Sequence, residues 1–206
     1  MEGEERPLAL VDAEGRLVEF YDAKHPQSPL VLSSIPTSSD HLSALRERHG
    51  QMRLALYTLN LRFERDLVGL DALAGEQMLL RMHLFPTIDF YTPSLVDTVR
   101  AVDLLRKRQA DEVAVVHCKA GRGRSAAVVA AYILAELLEA GTPVAVEEVE
   151  AYIRTKRPAV KLGRQKRAAL REFVASIQRE GGFQQLRDSM AQQIEAREEE
   201  IVNSQL

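Results

Sequence analysis

The segment His117-Cys-Lys-Ala-Gly-Arg-Gly-Arg-Ser125 gathers the only cysteine of the chain, three cations and two glycines into nine residues. It follows a continuous apolar run, Val113–Val116, which reads as a strand buried on both faces of a parallel sheet. It precedes Ser125 to Ala140, apolar almost all round (Ala126, Val128, Val129, Ala131, Ile133, Leu134), which reads as a central helix. A strand-to-helix turn with Gly121 and Gly123 can fold back until its amide N–H groups converge on one point. The helix that follows aims its positive end at the same place. Arg124 can then lay a planar fork on two oxygens of one anion, which lysine cannot do. Lys119, Ala120, Gly121, Arg122, Gly123 and Arg124 are thus expected to cradle a phosphate-like dianion.

A thiol at the bottom of such a cradle feels the same field. Converging N–H dipoles, the helix end and Arg124 favour thiolate, so Cys118 is expected to titrate below the ~8.5 of a free cysteine. That makes Cys118 a nucleophile aimed at the phosphorus above it. Ser125 is placed to donate a hydrogen bond to the departing sulfur. His117 reads as an orienting, hydrogen-bonding residue beneath the loop and not as a base. Spacing alone is weak support: arginine makes up 21 of 206 residues, so chance puts one six positions after a cysteine about one time in ten. The loop carries the reading, because a cysteine that only packs needs no Lys-Ala-Gly-Arg-Gly-Arg behind it.

The elements that hold this loop read as alternating strands and helices, hence a single α/β domain with a mostly parallel sheet flanked by helices. Leu8–Val11 and Arg16–Tyr21 form an expected hairpin around Asp12–Gly15. Leu30–Leu32, Met52–Leu59 and Met78–Leu84 read as strands. Expected helices begin at Asp40 as cap, span Asp66–Gly75 with Leu67, Leu70 and Leu73 on one side, and start at Thr92-Pro93 and Thr142-Pro143. A further helix covers Leu162–Arg179. Residues 1–29 are expected to be an N-terminal extension, 30–180 the main domain and 181–206 a charged C-terminal helix. On that helix Phe183, Leu186, Met190, Ile194 and Ile201 share one seam, and docking, fraying or dimerisation remain open.

With 27 Lys+Arg against 30 Asp+Glu the net charge is −3, which excludes a polycationic nucleic-acid binder. No run of 18 apolar residues is present. The start, Met1–Pro7, reads as neither signal nor transit peptide, so a cytoplasmic or peripheral-membrane protein is expected. A lone cysteine suits a reducing compartment. The histidines at 25, 41, 49, 83 and 117 are scattered, and neither a metal nor a cofactor is expected.

HCKAGRGRS resembles the signature loop of the dual-specificity branch of the cysteine-dependent protein tyrosine phosphatases. Within that branch the chain is similar to the mitochondrial-type phosphatases that act on phosphatidylglycerophosphate. The similarity continues through Pro86-Thr-Ile-Asp-Phe-Tyr-Thr-Pro-Ser94, faintly through Leu54–Asn60, and through Ile153–Phe173, covering roughly residues 30 to 178. It implies a metal-free, two-step reaction: Cys118 attacks the phosphoryl group, Asp89 protonates the leaving oxygen, and water then hydrolyses a phosphocysteine with Asp89 as base. Residue types agree, since an alkoxide leaving group needs an acid and Asp89 lies in a Pro-flanked, movable loop after an expected strand. Gln165 resembles a position that helps hold the hydrolytic water. The chain has no tryptophan, so the acid loop lacks the Trp of the tyrosine-specific phosphatases, as dual-specificity members commonly do.

Residues 151–171 hold eight Lys/Arg and no Asp or Glu. With Lys119 and Arg122 they are expected to make a positive rim that favours a phospholipid headgroup and peripheral membrane contact. The competing readings are a protein tyrosine/serine phosphatase of the same fold and a silent phosphate-binding adaptor. A sulfurtransferase or arsenate reductase is less well served, since no second cysteine can resolve an oxidised Cys118.

Overall fold

The computed structural model describes residues 17–20, 27–50, 52–70 and 80–204. Its sheet holds β1 (Leu17–Phe20), β2 (Leu30–Ser34), β3 (Arg53–Thr58), β4 (Leu80–Leu84) and β5 (Glu112–Cys118), ordered β1-β2-β5-β3-β4. Four strands run parallel, and β1 lies antiparallel along β2 at the edge. The expected first strand, Leu8–Val11, and its turn lie outside the described residues.

β5 is central, and every one of its residues is buried. Alternate side chains divide between two layers, as strand geometry requires. Val113 and Val115 join Val31, Leu54 and Leu56 against Leu42 and Leu45 of α1 (Ser39–Arg48). Ala114, Val116 and Cys118 face the larger core, built on α3 (Leu95–Arg106), α4 (Arg124–Glu139), α5 (Val146–Lys156) and α6 (Arg164–Glu180). Burying each of its valines contributes about 1.5–3 kcal/mol, which holds the base of the following loop in place. The carboxyl ends of β3, β4 and β5 all open on one edge, where ligands of parallel α/β sheets bind.

Several helix starts differ from expectation, each for a local reason. Ser38, not Asp40, caps α1, its hydroxyl accepting from the His41 N–H at 3.4 Å. Before the helix expected over Asp66–Gly75 a short α2 (Arg62–Asp66) forms, started by Glu64 accepting from the Leu61 N–H at 2.9 Å; residues 67–69 turn, Leu70 is helical, and residues 71–79, most of the expected helix, lie outside the described residues. α3 is capped by Ser94, whose hydroxyl accepts from the Asp97 N–H at 3.0 Å, two residues after Thr92. α5 starts at Val146, where Glu148 accepts from the Ala145 N–H at 2.7 Å, and not at Thr142-Pro143.

The C-terminal segment forms two helices, α7 (Phe183–Ser189) and α8 (Ala191–Asn203), in place of one. They follow a left-handed turn at Gly181, φ +85°. All five seam residues are buried. Phe183 packs edge-on to Phe173, ring centroids 6.3 Å apart, and Arg197 of α8 reaches Asp97 of α3 at 3.1 Å. Docking is therefore the observed arrangement, and the segment shares the larger core.

Candidate active site

β5 ends at Cys118, and the chain turns through 119–123 into α4 without a side-chain cap on that helix. Gly121 makes the turn possible. Its φ is +63°, and a Cβ there would stand 2.5 Å from the Ser33 carbonyl oxygen. The loop is also braced from outside: the Arg157 guanidinium donates to the Ala120 carbonyl at 3.1 Å, and the Lys161 N–H to the Arg122 carbonyl at 3.0 Å. Lys119, Ala120 and Arg122 are exposed, whereas Gly121 and Arg124 are buried.

Cys118 is 3% exposed. Burial alone would raise its pKa. The Ser125 hydroxyl, donating to Sγ at 3.2 Å, the Ser125 and Gly121 N–H groups and the Arg124 charge outweigh it and bring the thiol below its ordinary value. The structure thus brings Cys118, Ser125, Gly121 and Arg124 together.

Arg124 is more firmly held than the sequence suggests. Glu64, which sequence reasoning missed, takes the guanidinium in a two-pronged pair, Nη1 to Oε2 at 2.8 Å and Nη2 to Oε1 at 2.9 Å. Nη1 also donates to the carbonyls of Thr87 at 2.7 Å and Leu59 at 3.2 Å. The remaining face of the fork offers Nε–H, unpartnered among the described residues, and Nη2. Nη2 lies 3.2 Å from Asp89 Oδ1. The donors an anion needs are therefore Nε and Nη2, with Asp89 beside them. Glu64 is a carboxylate one turn from no obvious motif, and only its cap spacing after Leu61 signalled that it had a fixed place.

Asp89 sits in the loop between β4 and α3, next to Phe90 at φ +68°, a conformation rare outside glycine. Besides Arg124, a second side chain ties this loop down: Lys166 Nζ, on the first turn of α6, donates to the Phe90 carbonyl at 2.6 Å. Burial lowers the pKa of Lys166, and the Arg124 charge adds to this; the charges of Cys118 and Asp89 act in the opposite direction. Its Cε would lie 3.3 Å from a Cβ on Gly123, so the ammonium stem runs along the loop. Gln165, the residue the resemblance suggests, is exposed and makes no hydrogen bond to the loop among the described residues. The helical turn brings its neighbour Lys166 to the site instead.

His117 also departs from expectation. It is fully buried, and neither ring nitrogen has a hydrogen-bond partner among the described residues. Burial first, then the charges of Arg124 and Arg65, push its pKa down to about 3. It is a neutral filler under the strand end and not a hydrogen-bonding orienter.

Residues 32–137 match the family described as "Polymorphic toxin system, DSP-PTPase phosphatase". The chain belongs to this DSP-PTPase phosphatase family. Over 92 residues the phosphatase is 37% identical to phosphatidylglycerophosphate phosphatase PTPMT2 of Arabidopsis thaliana; the match takes in 44% of this chain and 38% of that relative. The match thus covers well under half of that curated relative. Its fold is similar to PTPMT1 in complex with PI(5)P, at TM-score 0.62 and 21% identity, covering 76% of this chain and 96% of the other. It is similar too to kinase associated phosphatase, at TM-score 0.60 and 18% identity, covering 71% and 88%.

Proposed function

We propose that this phosphatase hydrolyses phosphate monoesters through a phosphocysteine, and that its substrate is a phospholipid headgroup such as that of phosphatidylglycerophosphate. The carrying observation is a buried, hydrogen-bonded sulfur in the same loop as one guanidinium, Arg124, whose Nε–H is unpartnered among the described residues and whose Nη2 lies beside the acid Asp89. In the first step the Cys118 thiolate attacks phosphorus. The ester P–O bond breaks, and the alkoxide takes the proton of Asp89. In the second step water attacks the phosphocysteine and gives a proton to the Asp89 carboxylate, while sulfur departs as a thiolate steadied by the Ser125 hydroxyl. Arg124 neutralises equatorial charge throughout, the role such clamps play in phosphoryl transfer. No step calls on a metal.

The lipid substrate is supported by the exposed cations Lys119 and Arg122 on the loop itself, by the cation-rich stretch 151–171, and by the similarity to PTPMT2. A panel of lipid, inositol and peptide phosphates, run with chelator, tests the reading. Cys118→Ser is expected to abolish turnover on all of them. Lys119→Ala and Arg122→Ala are expected to lower activity on phosphatidylglycerophosphate more than on para-nitrophenyl phosphate. Equal losses on both, or a preference for phosphopeptide, would overturn the lipid assignment. Loss of activity on chelation would overturn the metal-free chemistry.

A further inference from the structure

Six large apolar side chains are exposed among the described residues, and five of them lie in the two segments whose carboxylates, Glu64 and Asp89, meet Arg124. Phe63 and Leu67 lie one turn apart, on α2 and the turn after it; Ile88, Phe90 and Tyr91 flank Asp89. All five are between 60% and 83% exposed. One guanidinium joins the two segments. Arg124 binds Glu64, the neighbour of Phe63, on one side and approaches Asp89, the neighbour of Ile88 and Phe90, on the other. An apolar group of this kind on one face of a protein marks a contact surface.

The charges beside it decide the partner. Lys119, Arg122, Lys161 and Arg164 are all exposed, and the Lys161 N–H is bonded to the Arg122 carbonyl, so these cations edge the mouth of the site. The whole chain carries −3, so this positive rim is a local feature and not a consequence of composition. Apolar and aromatic side chains ringed by cations match the boundary between acyl chains and anionic headgroups. A protein partner or a second copy would have to supply both an apolar face and an acidic rim. We infer that Phe63, Leu67, Ile88, Phe90 and Tyr91 form an interfacial docking surface that seats the mouth of the site on an anionic lipid bilayer. This inference rests on the lipid reading above and adds the surface that meets the membrane. It also accounts for Cys118 lying so deep: with the rim at headgroup level, one phosphate has only to enter the loop while its acyl chains remain in the bilayer.

The test is co-sedimentation of the full chain with phosphatidylcholine vesicles that contain or lack phosphatidylglycerol. The wild-type protein is expected to pellet with the anionic vesicles and to lose binding as salt is raised. The double variant Phe63→Ser/Leu67→Ser, altered only at exposed positions, is expected to bind about tenfold more weakly. It should hydrolyse soluble para-nitrophenyl phosphate at the wild-type rate, which also shows that it folds. A wild-type protein left in the supernatant, or a double variant that pellets equally well, overturns the surface. So does a wild-type dimer in sedimentation velocity that the double variant abolishes, which would give the patch to a second copy. A protein that docks yet releases no phosphate from lipid headgroups sinks the substrate assignment and leaves the surface standing. A protein that hydrolyses dispersed short-chain lipid without docking does the reverse.

Discussion

The phosphate loop, residues 118–124, and the acid loop, residues 85–92, both reach the Arg124 guanidinium, but they are held there differently. The phosphate loop grows out of the fully buried β5, needs a backbone at Gly121 that no other residue can supply without moving Ser33, and is braced by Arg157 and by the chain at Lys161. The acid loop carries three exposed apolar side chains and a non-glycine residue at positive φ, and it is tied by the Thr87 carbonyl, the Asp89 carboxylate and the single ammonium of Lys166. Under the proposed mechanism the first loop binds the same anion every time. Under that mechanism the second has to leave and return, since Asp89 lies against the Nη2 donor that a bound phosphate oxygen needs. Preorganised donors and a movable acid are separate requirements of the proposed chemistry, and the residues assigned to them lie on separate segments.

That division predicts two kinds of mutant. Gly121→Ala strikes the fixed loop, and Ser33 is backbone that cannot retreat. Its kcat/KM is expected to fall by about 10²–10³-fold, the scale of losing oxyanion donors, and by the same factor on aryl and alkyl phosphates. Steady-state kinetics on the two substrate types checks this. A loss confined to alkyl phosphates would mean that the cradle survives and the loops are not separate.

Asp89→Asn strikes the movable loop. Alkyl phosphates, whose leaving group needs a proton, are expected to lose about 10²–10⁴-fold in kcat, and para-nitrophenyl phosphate, which leaves without one, far less. Lys166→Met should copy this leaving-group pattern on a smaller scale, about tenfold on alkyl phosphates, because it removes one charge-assisted hydrogen bond. Lys166→Arg should restore part of the loss. Equal losses on both substrates would make Lys166 a substrate-binding cation and not a tether of the acid loop.

The fixed loop was legible in the sequence because its requirements are local: a buried strand, two glycines, a cysteine and an arginine in one stretch. The parallel sheet was legible for the same reason, in the runs at 30–32, 52–59 and 113–116. Glu64 was not, because the pair it makes with Arg124 joins residues sixty positions apart. Nor was Lys166, since the choice between it and Gln165 depends on the phase of α6, which a boundary shifted by one residue reverses. The helix starts at Ser94 and Val146 were missed because Thr-Pro mimics an N-terminus, while the caps in place, Ser94 with Asp97 and Glu148 with Ala145, lie two to three residues on.

The smallest effect concerns the body beneath the fixed loop. His117 titrates at about 3, lowered by burial and then by Arg124 and Arg65. His83 titrates at about 4, lowered by burial and then by Arg81 and Arg100, against a raising effect of Glu198. Both are neutral in the fold and take up protons near 6.5 once unfolded. Between that value and their lowered ones the unfolded chain binds more protons, so stability is complete above 6.5 and declines as pH falls through this window. Glu64 acts in the same direction lower down. Burial would raise its carboxyl, but the Arg124 fork, with the Leu61 N–H and Asn60, holds it below the usual range. Its contribution is present above the unfolded value of about 4.3 and is lost as pH falls through the lowered one. Thermal midpoints between about pH 7 and pH 4 should therefore decline by several degrees, and His117→Leu should flatten that decline. A variant with an unchanged slope would show that His117 gains a proton without disturbing the strand end, and that the fixed loop does not depend on a neutral base.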